Sequence, residues 1–264
     1  MFGFSPQLPI SDADRLWVEE GFRRLEKLLG RRRMLEARVI TPTAEDFPDP
    51  YDQTSTASVE KLFGRVCHYM HVERDGLEFE IFPDETEELR EILPYWPGGS
   101  GKHAAGLYIH AMQERDLEDD DGRAVVAIRS SQLKDPVSLV ATMAHELGHV
   151  ILLGQGLMNP KTSDHEPMTD LLTVFLGFGI FNANSANRFK RWQDDRRQGW
   201  SMQRLGYLRE EVFGYALAKF ANERGENKPE WARHLSPNVR SDFKRSRRWL
   251  AENPQYVTMA KPIG

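Results

Sequence analysis

The sequence predicts an α+β fold: a small mixed sheet, a helix built around an H-E-x-x-H motif, and a mostly helical remainder. Three observations carry that expectation. Short runs between residues 35 and 128 have the length and patterning of strands. An apolar segment, Val137 to Leu153, has Asp135-Pro136 before it and Gly154 after it, the punctuation of a helix start and stop. Beyond it, Tyr207 to Glu223 and Ser236 to Asn253 read as two further helices. On this reading residues 1–153 form an α/β lobe ending in the motif helix. Residues 154–264 form a helical lobe, and the two complete one site.

Taken in order, Ser11-Asp12 caps a first helix running to Leu29, with Leu16, Phe22, Leu25, Leu28 and Leu29 as its stripe and Gly30 ending it. Arg31-Arg32-Arg33 follows as a solvated basic face. Leu35 to Ile40 reads as a short strand, and residues 41–56 as a long surface loop. A second helix from Ser58 to Val72 buries Val59, Phe63, Val66 and Met70, and gives Cys67, His68 and His71 structural or surface roles. Leu77 to Phe82, Gly106 to Met112 and Ala124 to Ile128 are the remaining strands, and Pro94 to Gly101 a turn. Asp119-Asp120-Asp121-Gly122 reads as a hairpin tip, lacking the spacing and closing Glu of a calcium loop. The last strand stops just before the motif helix. Its edge is therefore expected beside the site, where an extended peptide could add by main-chain hydrogen bonds.

At 264 residues the chain can bury a substantial core, and its formal net charge of -5 argues against nucleic acid or an anionic membrane as partner. The first residues carry no basic and apolar leader pattern, and the apolar run Leu171 to Phe181 is too short to span a bilayer. A single cysteine, Cys67, allows no intrachain disulfide. A soluble, cytoplasmic protein is the expectation.

The motif carries the chemistry. His145 and His149 are four residues apart on one helix, so both imidazoles can reach a single metal ion. Glu146 lies about 100° around the helix from His145. It therefore flanks the metal, where a general base acting on water stands. Ser138, Ala141, Thr142 and Gly148 share the histidine arc, a small-residue face expected to leave room for a metal and a substrate.

A catalytic metal site needs a third protein ligand. Downstream, Asp164-His165-Glu166-Pro167 opens an apolar helix that also carries Asp170. Glu166 on the metal, with Asp170 accepting a ring N–H of His145 or His149, is the preferred division of labour. Asp170 or His165 as the ligand are alternatives. A third is an acidic helix start that merely complements the dipole.

His145-Glu146-x-x-His149 followed by Glu166-x-x-x-Asp170 resembles the gluzincin branch of the zincin metallopeptidases. Leu152 and Gln155 stand where a metzincin would need Gly and His. The layout is also similar to that of the small ImmA/IrrE-like regulatory zincins of bacteria. The gluzincin resemblance covers Ala124 to Leu176. It implies a zincin-like fold, zinc held by His145, His149 and Glu166, Glu146 as general base, and a peptide or protein substrate. It further implies a Tyr or His that stabilises the oxyanion, for which Tyr207, Tyr215 and His234 are candidates. Tyr215, beside Gly214, is the choice among them, although a core tyrosine is the favoured role for that residue. The functional alternative is a non-catalytic or regulatory zinc-binding module that holds a protein partner.

Overall fold

The computed structural model describes residues 7–83, 106–109, 123–194 and 208–256. Eight α-helices and one three-stranded sheet lie among them, an α+β arrangement rich in helix. The chain divides into two compact units, one of Met1–Thr41, Asp170–Asn187 and Leu208–Gly264, the other of Pro42–Thr169 and Arg188–Tyr207. This differs from the expected division at residue 153. The first helix joins the C-terminal helices because its apolar stripe finds its partners there.

In the first unit, α1 (Asp12–Leu29) starts at Ser11, whose side chain accepts the Asp14 N–H, and stops at Gly30 with φ 84. Its buried face is Arg15, Val18, Glu19, Phe22 and Leu25, a run at helical spacing. Leu16 falls outside that arc and is 53% exposed, against expectation. A second correction follows at once. Arg31 to Glu36 is a short helix, α2, and residues 37–41 have no strand ladder. Ile40 instead makes one bond, its N–H donating to the Gly177 carbonyl at 2.9 Å. Nor is Arg31 simply solvated: it reaches Glu223 at 2.7 Å and Glu26 at 3.4 Å. Glu223 lies 192 residues away in sequence, so that pairing leaves no local signal.

The C-terminal helices of this unit are α6 (Gly179–Asp194) as far as Asn187, α7 (Glu210–Glu223) and α8 (Pro237–Glu252). The last two pack along each other, so closely that a Cβ on Gly214 would lie 2.7 Å from Asp242 Cβ. Between α1 and α7 runs a buried polar layer. Arg15 pairs with Glu19 at 3.0 Å, and Lys219 with Glu223 at 2.8 Å.

In the second unit, α3 (Thr56–Met70) is capped by Ser55 and closed by His71 in the left-handed conformation, φ 53. It buries Val59, Phe63, Val66 and Met70 as expected, and also Cys67. Burial pushes the Cys67 thiol up to about 12, with the Arg74 charge opposing it. At about pH 8 only about one part in ten thousand is then thiolate, the nucleophilic form. A thiol reagent is therefore expected to spare the native protein and to label the guanidinium-unfolded chain at one site. Equal rates in both states would mean that the α3 core opens readily.

The sheet has the order β1-β3-β2, from β1 (Leu77–Phe82), β2 (Gly106–Ile109) and β3 (Ala124–Arg129). β1 runs parallel to β3, pairing Leu77 with Ala124, and β2 runs antiparallel to it, pairing Gly106 with Ile128. β3 is therefore central. Val125 to Arg129 are buried without alternation, as expected of a strand covered on both faces. Val125 to Ile128 are paired on both sides, so that stretch of β3 offers no edge to an extended peptide, against that expectation. The expected turn at Pro94–Gly101 and hairpin tip at Asp119–Gly122 lie outside the described residues.

The motif helix, α4 (Pro136–His149), packs on α3 and on the sheet. With the turn that follows, it is long and apolar enough to cross a membrane by composition. Most of it, however, is buried within the protein.

Candidate metal centre

Asp135 caps α4, one carboxylate oxygen accepting the Ser138 N–H and the other the Ser138 hydroxyl at 2.9 Å; Pro136 occupies the first turn. These are the expected cap residues. The end is different. From Val150 to Gly154 the helix widens into a π turn directly after His149, a feature frequent at functional sites and without a sequence signature here. The small-residue face is not open along its length. Ser138 and Thr142 are buried, and Gln132 closes on the Thr142 hydroxyl at 3.3 Å.

Two histidines emerge at the far end of that face. Their rings meet edge to face with centroids 4.8 Å apart, and both are almost fully buried. The second helix of the site, α5 (His165–Phe175), begins with Glu166 in its first turn and accommodates Pro167 there without a break. Glu166 Oε2 lies 2.9 Å from His145 Nε2 and 3.4 Å from His149 Nε2. Burial alone would raise the Glu166 pKa. The charge of His149 and hydrogen bonds with both histidines outweigh it, holding the carboxyl well below the usual range.

The donor set fits a metal. Bonds of about 2.0 Å in a tetrahedral shell separate the ligand atoms by roughly 3.3 Å. The two Nε2–Oε2 distances bracket that value. Among the described residues, His145, His149 and Glu166 are the group whose ligand atoms all lie within 4.8 Å of one another. Neither His165 nor Asp170 belongs to it. His165 Nδ1 sits 3.6 Å from the other oxygen of Glu166, and Asp170 Oδ2 accepts the Leu208 N–H at 2.8 Å.

Glu146 is 5% exposed on the same helix. Burial raises its pKa against the lowering influence of His145 and His149. Thr169, which the sequence did not single out, contacts His149 Nδ1 through its hydroxyl at 3.3 Å. Its spacing from Glu166 on one helix face was the available clue.

Tyr215 is another matter. It is fully buried in the first unit, and its hydroxyl donates to Glu19 Oε1 at 2.8 Å. That is a core tyrosine with its proton engaged, which corrects the oxyanion suggestion. His234 gives its carbonyl to Asn184 and accepts on Nε2 from Arg233, and Tyr207 lies outside the described residues. Among the described residues, Cys67, His68 and His71 gather no further ligands. No family model, curated protein or solved structure matches this chain.

Proposed function

We propose that this chain is a zincin-like, zinc-dependent metallopeptidase, with His145, His149 and Glu166 as the ligands and Glu146 as the general base. The observation that supports it best is the convergence of His145 Nε2, His149 Nε2 and Glu166 Oε2 from two helices. Zinc in such a set supplies Lewis acidity toward water and a peptide carbonyl. Glu146 takes the proton of the attacking water on its carboxylate and returns it to the departing amine. Asp170, one turn beyond Glu166, is the proposed acceptor for a ligand-histidine N–H. The substrate class is peptide or protein. The single, buried cysteine and the mild negative charge suit the cytoplasm as the place of action.

A second reading draws on burial. His145, Glu146 and His149 are each 6% exposed or less, which also suits a regulatory zinc module that binds a protein partner without turning over substrate. Metal analysis is the first test. Wild type is expected to hold about one zinc per chain and Glu166→Ala to lose it. Asp170→Ala should keep zinc with affinity lowered about 10- to 100-fold. Full zinc in Glu166→Ala with none in Asp170→Ala would move the third ligand. Zinc-free wild type after reconstitution would end both readings.

A further inference from the structure

The Thr169 hydroxyl is fully buried and stands between two groups. It lies 2.8 Å from the His165 carbonyl oxygen and 3.3 Å from His149 Nδ1. A carbonyl can only accept, and a hydroxyl has one proton. The shorter contact therefore takes that proton, and toward His149 the oxygen is left as an acceptor. We infer that Thr169 sets the tautomer of His149, accepting its Nδ1–H and thereby leaving the Nε2 lone pair for the metal. This rests on reading His145, His149 and Glu166 as a metal site.

The arrangement has a consequence on the other side of the ring. With the proton on Nδ1, neutral His149 presents only a lone pair to Glu166 Oε2, 3.4 Å away. A carboxylate oxygen is also an acceptor. Two acceptors facing each other at that distance repel, and a proton or a metal cation between them relieves the repulsion. Thr169 thus makes this contact unfavourable when empty and favourable when a metal is present. The Thr169–His165 bond spans one turn of α5, so the same helix that carries Glu166 also holds the group that orients His149. Thr169 is a positioning residue and touches no reacting atom.

The test compares wild type with Thr169→Val, nearly the same shape without the hydroxyl, and Thr169→Ser, which restores it. Thermal melts first establish that all three fold. Proton–nitrogen correlation spectra of the imidazoles are then recorded on metal-free protein at about pH 8, where an ordinary imidazole is neutral. The His149 signals are assigned by their loss in His149→Asn. The expected result is the Nδ1–H form in wild type and Thr169→Ser, and a shift toward Nε2–H in Thr169→Val. Competition with a chromophoric chelator should show zinc affinity lowered about 10- to 100-fold in Thr169→Val and near wild type in Thr169→Ser. An Nε2–H ring in wild type would overturn the inference. So would a Thr169→Val protein with unchanged spectra and unchanged zinc affinity. Wild type that binds no zinc would sink the metal reading by itself, and the spectra of the metal-free protein would still decide what Thr169 does.

Discussion

Glu146→Gln is expected to retain about one zinc per chain and to lose peptide hydrolysis by a factor of about 10² to 10⁴, the range a positioned general base supplies. The substitution keeps the shape of the side chain and removes the proton-accepting carboxylate. Glu146 is not one of the three converging ligand atoms, so metal content should not follow activity. Nor should stability fall. The carboxylate is 5% exposed and burial raises its pKa, so its charged form is disfavoured in the fold. A neutral amide avoids that penalty, and the metal-free variant should melt no lower than wild type. Turnover on a casein or peptide-library substrate, with zinc measured on the same preparation, checks this. Undiminished hydrolysis with zinc bound would remove Glu146 as base. Absence of hydrolysis in wild type with zinc bound would favour the regulatory module.

Gly177→Ala is expected to be among the most destabilising single changes in the first unit. Gly177 has φ +90, a region in which L side chains are strained by about 1–3 kcal/mol. A Cβ there would also overlap the Arg38 carbonyl oxygen, a backbone atom that cannot rotate away. Overpacking of this kind adds roughly 1–3 kcal/mol. The combined loss of about 2–6 kcal/mol corresponds to a fall in Tm on the order of 10 °C for a chain of this size. Gly30→Ala is the matched control: φ is +84 but no heavy atom lies within 4 Å, so only the conformational share should be lost. Equal melting temperatures for the two variants would mean that the Arg38 segment yields without cost.

Gly177 also illustrates what a sequence can and cannot carry. Its position after an apolar helix suggests a stop signal, whereas its approach to Arg38 joins residues far apart in the chain. The same distinction runs through the site. Asp135, Pro136, His145, Glu146 and His149 were legible because a cap and an i, i+4 pair are local relations that 3.6 residues per turn make visible. Glu166 was legible by chemistry as a candidate for the third ligand a two-histidine site needs, and its carboxylate lies within 4.8 Å of both histidine ligand atoms. For Tyr215 the favoured core role agrees with the structure and the oxyanion suggestion does not, because its hydroxyl answers to Glu19, almost two hundred residues earlier. The edge expected on β3 failed because strand neighbours are set by the sheet, and β1 and β2 occupy both sides.

The sequence by itself determined the capped motif helix, the ligand candidates on it and on the helix after it, and the main helices at either end. Each rests on side-chain spacing within one element, which local backbone geometry translates directly into a face. Only the tertiary structure decided that α1 belongs with the C-terminal helices, that β3 is central, and that the motif helix opens into a π turn after His149. It also gave Thr169 its place against His149 Nδ1. These depend on which surfaces bury one another and on where a single hydroxyl proton goes, and neither is written in any one stretch of chain.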